Sequence, residues 1–558
     1  METILFNRGI KDIEKYLSLS NDDTHNYSLL LNIKDAVNCF VEHIHKNSNI
    51  HLIVDPDVDG NVSAAMIYRY IKNDLEYQGK VTYSIHTQKQ HGISSDIDVP
   101  NDCNLLIVPD AGTNDVQECK RLRDSNIDIL ILDHHEIEEE NAYAIVVNNQ
   151  MGDYPNKNLC GAGIVYKFLL ALDDELWCSY AEKYIDLVAL ANISDNMDLR
   201  EYETRYYVNY GLRHIRNKLF KQLIKQQEYS IKGKVNIINI QFYITPIINA
   251  LIRIGNQDEK ELLFKAFLEQ DQEFQYQKYN SEEIINENIY ERVARFCVNA
   301  KNRQNSKIKK ELRECQEIIS STGNYKDKII FVNATNKVTQ TLTGLIAMKL
   351  SDKYMRPCLV LRRKKKNDNI SYCGSGRNFD YSPISDLKAY LNSLELFEFV
   401  QGHKNAFGVS IPNYNVPIAI RKINEGLKQI KFQKEYLVDF ILDKEELSVG
   451  FIKDIYDMRD IFCQGVKEPF VVIRNVRLIR EDTCFVGKTE STIKYVDFET
   501  GIAFLKFRCN ENDELFNRFK NKTDESIGII NLVGKVTLNV FNSIITPQVI
   551  IEDYEFIE

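Results

Sequence analysis

Asp133-His134-His135 places a carboxylate and two imidazoles directly after the apolar run 127–132. A strand with that C-terminal end delivers its ligands to an α/β crevice, where such folds bind their substrates. Two further strand ends precede it: His51-Leu52-Ile53-Val54 runs into Asp55-Pro56-Asp57-Val58-Asp59-Gly60, and Leu105-Leu106-Ile107-Val108 runs into Pro109-Asp110-Ala111-Gly112. Three apolar strands, each ending in acid or imidazole, point to one shared metal site.

Asp55, Asp57 and Asp59 lie at i, i+2 and i+4, so in an extended or turning segment their carboxylates share a face. Gly60 then lets the backbone turn into a helix without a Cβ clash. Converging carboxylates repel, and a divalent cation keeps them ionised together. A mixed oxygen and imidazole set favours Mn²⁺ or Mg²⁺ over zinc or copper. An EF-hand would need a glutamate at loop position 12, where this chain has Met66.

The bulk properties set the frame. At 558 residues, 44% hydrophobic and 27% charged, the chain is expected to form three or four domains with real cores. No run of about 18 apolar residues is read, so no membrane span is expected. The N-terminus shows no secretory signal pattern. The twelve cysteines contain no CxxC pair, which argues against structural zinc or a disulfide framework and fits a reducing cytoplasm. A net charge of −10 argues against a protein that coats nucleic acid by bulk electrostatics, while leaving room for a metal-dependent nucleic-acid enzyme. The densest basic run, Arg362-Arg363-Lys364-Lys365-Lys366, is most simply a solvated loop.

The elements that position these residues follow from pattern. The first 215 or so residues alternate short apolar strands with helical stretches, the mark of βαβ units and a mainly parallel sheet. Helices are expected over 61–73, 161–172 and 184–192. From about 257 to 321 the chain is polar and charged with no Gly or Pro, which predicts long connecting helices over 258–269 and 282–319. A second α/β unit spans about 328–428, with a helix over 343–353, a strand over 357–361 and a turn at Gly374-Ser375-Gly376. Beyond about 429, short strands over 470–476, 492–497, 502–507, 527–532 and 535–542 predict a small β-barrel, with the OB-fold leading.

Taken together, these motifs resemble the DHH phosphoesterase superfamily, and within it the RecJ single-strand-specific exonucleases. The first motif matches Asp55, Asp57, Asp59 and Gly60, the second Asp110 and Gly112, the third Asp133-His134-His135, and the fourth Asp195 after the apolar stretch 186–194. Leu159-Cys160-Gly161-Ala162-Gly163 also fits. Further along, Asn249-Ala250-Leu251-Ile252-Arg253 resembles a NAAGR-like segment, Ser375-Gly376-Arg377 an SGR motif, and Gly402-His403-Lys404-Asn405-Ala406-Phe407-Gly408 a GGHxxAAG motif. Lys467-Glu468-Pro469-Phe470 and Val486-Gly487-Lys488 resemble landmarks of the RecJ OB-fold. Departures include Gln401, Phe407, Leu251, Ile252 and the Pro109 and Ala111 flanks, so the chain reads as a divergent member.

The resemblance implies a DHH catalytic domain over 1–225, connecting helices over 226–325, a DHH-associated substrate-binding domain over 326–428 and an OB-fold-like nucleic-acid-binding domain over 429–558. It implies two Mn²⁺ or Mg²⁺ ions held by Asp55, Asp57, Asp59, Asp110, His134 and Asp195, with Asp133 orienting the imidazoles and His135 holding a phosphate oxygen or assisting the leaving group. Asn249, Arg253, Ser375, Arg377, Gly402 and His403 are the expected substrate-binding set. The implied activity is 5′ to 3′ exonuclease action on single-stranded DNA by a monomer, with release of 5′-mononucleotides and a helicase or single-strand-binding protein as partner. The rival readings are a DHH phosphodiesterase acting on short oligonucleotides or cyclic dinucleotides, a non-catalytic replication scaffold, and an inorganic pyrophosphatase.

Overall fold

The computed structural model describes residues 1–86, 90–94, 97–277, 282–366, 369–487, 490–521, 525–541 and 544–558; Lys488 and Asn542, named above, lie outside them. Five parallel strands open the architecture: β1 (Ile50–Val54), β2 (Val81–Ile85), β3 (Leu105–Pro109), β4 (Asp128–Asp133) and β5 (Ile145–Asn148), in the order β2-β1-β3-β4-β5. All five residues of β1 and of β3 are buried. Their near-continuous apolar sequence follows from that, because a parallel sheet is covered on both faces. Period-two alternation splits the strand residues between layers: Leu52, Val54, Ile107, Leu130 and Leu132 join the main core, and Ile53, Leu106, Val108, Ile129 and Ile131 pack with Cys119 and Leu122 on the other face.

The order reverses between β1 and β3, and the crevice outside the carboxyl ends there is where such sheets bind ligands. The helix after β1 runs Val58–Arg69 and starts three residues earlier than the sequence pattern suggests, because Asp57 caps it by accepting from Gly60 N. The other two helices are Gly161–Glu175 and Ile185–Ser194, close to expectation.

Helix Gln257–Phe267 matches the first connecting helix. The second differs. Residues 284–288 form β7, paired with β6 (Glu273–Gln277) as an antiparallel hairpin, and only then does one 34-residue helix run Ile289–Thr322. Asn288 caps it, reciprocally with Glu291, so the polar run before the cap is strand and not helix. At about 1.5 Å per residue this helix spans about 50 Å. It packs Val293, Ala294 and Cys297 into the catalytic core and Ile308, Cys315 and Ile319 into the second unit. The helical stretch Ile237–Ile254 also departs from the sequence reading: it is 18 residues long and apolar enough to cross a membrane by length and composition. Its apolar side, including Ile240, Ile244, Ile248 and Leu251, is built into the protein core.

The second α/β unit has strands β8 (Ile330–Asn333), β9 (Cys358–Lys366), β10 (Asn369–Arg377), β11 (Phe399–His403) and β12 (Ala406–Pro412), ordered β11-β12-β10-β9-β8. Gly374-Ser375-Gly376 is therefore strand and not turn. A Cβ on Gly374 would sit 1.9 Å from the Val360 carbonyl oxygen, so glycine serves close strand approach. The basic run Arg362–Lys366 likewise forms the outer half of β9, paired with β10, where a solvated loop was expected.

Toward the C-terminus lie β13 (Val438–Asp443), β14 (Phe470–Ile479), β15 (Thr483–Val486), β16 (Thr492–Val496), β17 (Ala503–Phe507), β18 (Ser526–Phe541) and β19 (Ile544–Phe556), in one sheet ordered β13-β14-β18-β19-β17-β16-β15. The two strands expected over 527–542 are one, β18. Among the described residues the end strands β13 and β15 do not pair, so the sheet does not close into a barrel.

Candidate metal centre and cleft

The four motifs converge at the carboxyl ends of β1, β3 and β4. Asp57 and Asp59 meet through the strand-to-helix turn, Asp57 as cap and Asp59 inside the first helical turn; simple alternation along an extended segment is not the cause. Asp59 accepts from Gly161 N and Ala162 N, both at 2.7 Å, and from the Ser63 hydroxyl at 3.1 Å. The amino end of the Gly161–Glu175 helix thus points at the carboxylate cluster. Gly161 is demanded by close approach, since a Cβ there would lie 2.4 Å from Asp110 Oδ1. Asp110 itself adopts a left-handed backbone, φ 66°, a conformation that aspartate tolerates better than most residues.

His134 is the hub. Its Nε2 lies 3.2 Å from Asp110 Oδ1, 3.4 Å from Asp195 Oδ2 and 3.9 Å from Asp59 Oδ2. These are not ion pairs, because burial and the neighbouring His135 push the His134 pKa down to about 3 and keep the ring neutral. His134 Nε2 and Asp110 Oδ1 are both buried without a hydrogen-bond partner. A buried carboxylate oxygen and a buried neutral imidazole nitrogen this close, neither with a hydrogen-bond partner, fit a shared cation. Three overlapping groups have ligand atoms within 4.8 Å of one another: Asp110, Asp133, His134 and His135; Asp59, His134 and Asp195; and Asp55, Asp57 and Asp110. Hard oxygens with one or two imidazoles fit Mn²⁺ or Mg²⁺.

The electrostatics agree. Burial and then carboxylate neighbours raise Asp57, push Asp59 up to about 6, and lift Asp110 and Asp195 well above the usual range. Asp133 goes the other way. Burial opposes its ionisation, but His135, His134 and Thr113 outweigh it and hold the carboxyl well below its usual range. Its oxygens accept from His134 N at 2.7 Å, His135 N at 3.2 Å, His135 Nδ1 at 2.7 Å and Thr113 N at 3.1 Å. This carboxylate accepts four hydrogen bonds and fixes the His135 ring through Nδ1. Burial disfavours charge on His135 as well, yet Asp133, with help from Asp195 and Asp55, pushes its pKa up to about 10.

Asp55, like Asp59, accepts a hydrogen bond on each oxygen. Its Oδ2 pairs with His91 Nδ1 at 2.7 Å and its Oδ1 accepts from Gly92 N at 2.9 Å. Sequence reasoning missed His91, which sits in no motif and whose distance in sequence from Asp55 carries no spacing signal. It also missed Thr113, a backbone donor.

Across the cleft, the expected substrate residues separate into two sets. His403 lies at the end of β11, its ring stacked 6.3 Å from that of His135, and Lys388 pairs with Glu136 at 2.7 Å, tying the second unit to the loop after the DHH triplet. Burial lowers Arg253, with Asp57 opposing, and burial plus Arg253 pushes Arg377 down to about 10, so the two guanidiniums neighbour one another and Arg253 neighbours Asp57. Gly402, at φ 123°, shapes the β11–β12 connection. Asn249 is half-buried, its amide 3.4 Å from Ser194 Oγ beside Asp195, and Ser375 is fully buried with its hydroxyl 2.9 Å from Thr343.

A model of the DHH family, N-terminal domain, matches residues 49–192. Over 562 aligned residues the chain is 35% identical to the Bacillus subtilis (strain 168) protein named "Putative SPbeta prophage-derived single-strand DNA-specific exonuclease YorK", covering 100% of this chain and 96% of that one. The chain belongs to the DHH family, as a divergent RecJ-like member. The single-stranded-DNA-specific exonuclease RecJ of Bacillus subtilis (strain 168) is 25% identical over 582 residues, covering 99% of this chain and 67% of that protein. The crystal structure of RecJ in complex with Mn²⁺ from Thermus thermophilus superposes with a TM-score of 0.72 at 17% identity, over 100% of this chain and 76% of that one, a likeness of fold. This DHH-family chain is accordingly a metal-dependent hydrolase of the nuclease kind.

Proposed function

We propose that the chain is a single-strand-specific 5′ to 3′ DNA exonuclease that uses two divalent ions, Mn²⁺ or Mg²⁺, and releases 5′-mononucleotides. The observation that carries this reading is the orphaned pair His134 Nε2 and Asp110 Oδ1, ringed by Asp57, Asp59 and Asp195 and faced by Arg253, Arg377 and His403. Asp55, Asp57, Asp59, Asp110, His134 and Asp195 would hold the ions, with His91 and Gly92 N steadying Asp55. When bound, such a pair supplies an activated water and neutralises charge on the phosphoryl and leaving oxygens.

The protein's own residues do the rest. Asp133 fixes the His135 ring, and the charged His135 donates to a phosphate oxygen. Arg253 and Arg377 hold the backbone phosphates on the far wall. His403, stacked on His135, closes the cleft above the reacting phosphate. In this reading residues 1–225 catalyse, 226–325 connect, 326–428 grip the strand, and 429–558 supply an OB-fold-like surface that adds stacking and backbone contacts.

Digestion of end-labelled oligonucleotides with Mn²⁺ tests this. A 5′-labelled single strand should release labelled mononucleotide at the earliest times, and a 3′-labelled strand should shorten as a ladder. Faster attack on a cyclic dinucleotide, or equal attack on duplex, would replace this reading with the phosphodiesterase one.

A further inference from the structure

The loop after Asp195 is gripped by parts of the chain far from the catalytic sheet. Asp195 is the C-cap of the Ile185–Ser194 helix, and Asn196 follows with φ 56°. The Asp195 side chain is 21% exposed, against 5% or less for Asp59, Asp110 and His134, so fewer buried contacts fix it. Asn196 N and Met197 N still bond back to the helix end, at Ile193 and Asn192, but further contacts come from elsewhere. Gln241 Nε2 donates to Asn196 Oδ1 at 2.6 Å, Leu199 N donates to the Gln464 carbonyl at 3.1 Å, and the Tyr16 hydroxyl donates to the Leu199 carbonyl at 3.1 Å.

Buried Arg205 donates to the Tyr16 hydroxyl at 2.7 Å, and its guanidinium lies 4.0 Å from the centre of the Tyr16 ring. Arg200 pairs with Asp198. Arg8 bridges to Asp439 on β13 at 2.8 Å and donates to the Lys467 carbonyl. Gly465, at φ 86°, presses on this loop: a Cβ there would fall 2.0 Å from Asp198 Oδ1 and 3.1 Å from Arg200 Cγ. The segment 196–200 is thus held between the N-terminal Arg8 and Tyr16 and the turn 461–467 that leads into the C-terminal sheet.

We infer that the turn 461–467 is a positioning element for Asp195, so that the C-terminal region sets the metal site and the turnover rate in addition to any grip on a long strand. This rests on the metal-site reading above. A contact that holds a metal ligand in place typically governs metal affinity or activity by roughly 10- to 100-fold, and the Gly465–Asp198 contact acts three residues from the carboxylate.

The test uses the full chain and two readouts that a pure strand-binding surface would leave unmoved: Mn²⁺ affinity by calorimetry, and kcat on a dinucleotide too short to extend beyond the cleft. Gly465→Ala should weaken Mn²⁺ binding and lower dinucleotide kcat, each by roughly 10- to 100-fold. Adding Asp198→Ala, which removes the nearest atoms the new methyl meets but leaves Arg200 Cγ and the left-handed backbone, should recover part of that loss. Tyr16→Phe, which keeps the ring and drops the bond to Leu199, should move both readouts in the same direction by less. Unchanged Mn²⁺ affinity and dinucleotide kcat in a folded Gly465→Ala, with only the KM for long strands altered, would overturn the inference, as would equal loss in the double variant. A wild-type chain that binds no Mn²⁺ instead fails the functional reading, and that result is seen before any variant is made.

Discussion

Replacing Asp110 by asparagine should stabilise the metal-free protein while destroying its function. Asp110 faces Asp55 and Asp57 with ligand atoms within 4.8 Å. Two unit charges at that distance and an effective dielectric near 20 repel by about 3 kcal/mol. The fold escapes part of this by keeping the carboxyl protonated, which is why burial and its neighbours hold it well above the ordinary 3.8. The sign follows from linkage: a carboxyl that keeps its proton in the fold but loses it when unfolded costs stability as pH rises above 3.8. Asparagine does not titrate. The gain from Asp110→Asn is therefore near zero at about pH 4 and grows to a ceiling of about 4 kcal/mol at about pH 7, the cost of retaining one proton across that span. Asparagine also accepts the left-handed backbone at this position. Thermal melts in EDTA between about pH 4 and pH 8 read this directly, and Mn²⁺ should raise the wild-type melting temperature but not the variant's. An Asp110→Asn protein less stable than wild type at neutral pH without metal would show that this carboxylate is a structural acceptor and not a member of a repelling cluster.

Three further outcomes follow from the same geometry. Mn²⁺ affinity should fall as pH falls, by about tenfold per pH unit or more below about pH 6, where Asp59 takes up its proton beside the already raised Asp110 and Asp195, and His134, held near 3, should contribute nothing there; calorimetry at several pH values checks both. His135→Gln should lower kcat by about 100-fold or more while Mn²⁺ still binds, because in the proposed reading the ring donates to the reacting phosphate and Asp133 remains in place. Arg377→Ala should raise the KM for single-stranded DNA by roughly 10- to 100-fold, the value of one charged hydrogen bond in a partly desolvated cleft, and leave kcat far less affected.

Much of the site was legible because its signals are local. Asp55, Asp110 and Asp133 each follow or end a buried apolar strand, and the family resemblance ordered them with Asp195. What the sequence hid depends on tertiary contact. His91 reaches Asp55 from a loop that follows another strand, a contact no spacing in the sequence announces. Gly374 and Gly376 read as a turn, although there they serve close packing of β10 against its neighbours. The hairpin before the long helix was missed because Asn288 and Glu291 form a cap that a polar, Gly- and Pro-free run disguises. The open C-terminal sheet shares short strands and turn spacing with a barrel; only strand pairing distinguishes the two.

Anomalous diffraction at the manganese edge from crystals soaked in Mn²⁺ is the most direct check. Two peaks about 4 Å apart are expected, both within coordination distance of Asp57, Asp59, Asp110, His134 or Asp195. Soaked crystals with no peak among these side chains, or with manganese only at the protein surface, would contradict the shared metal centre.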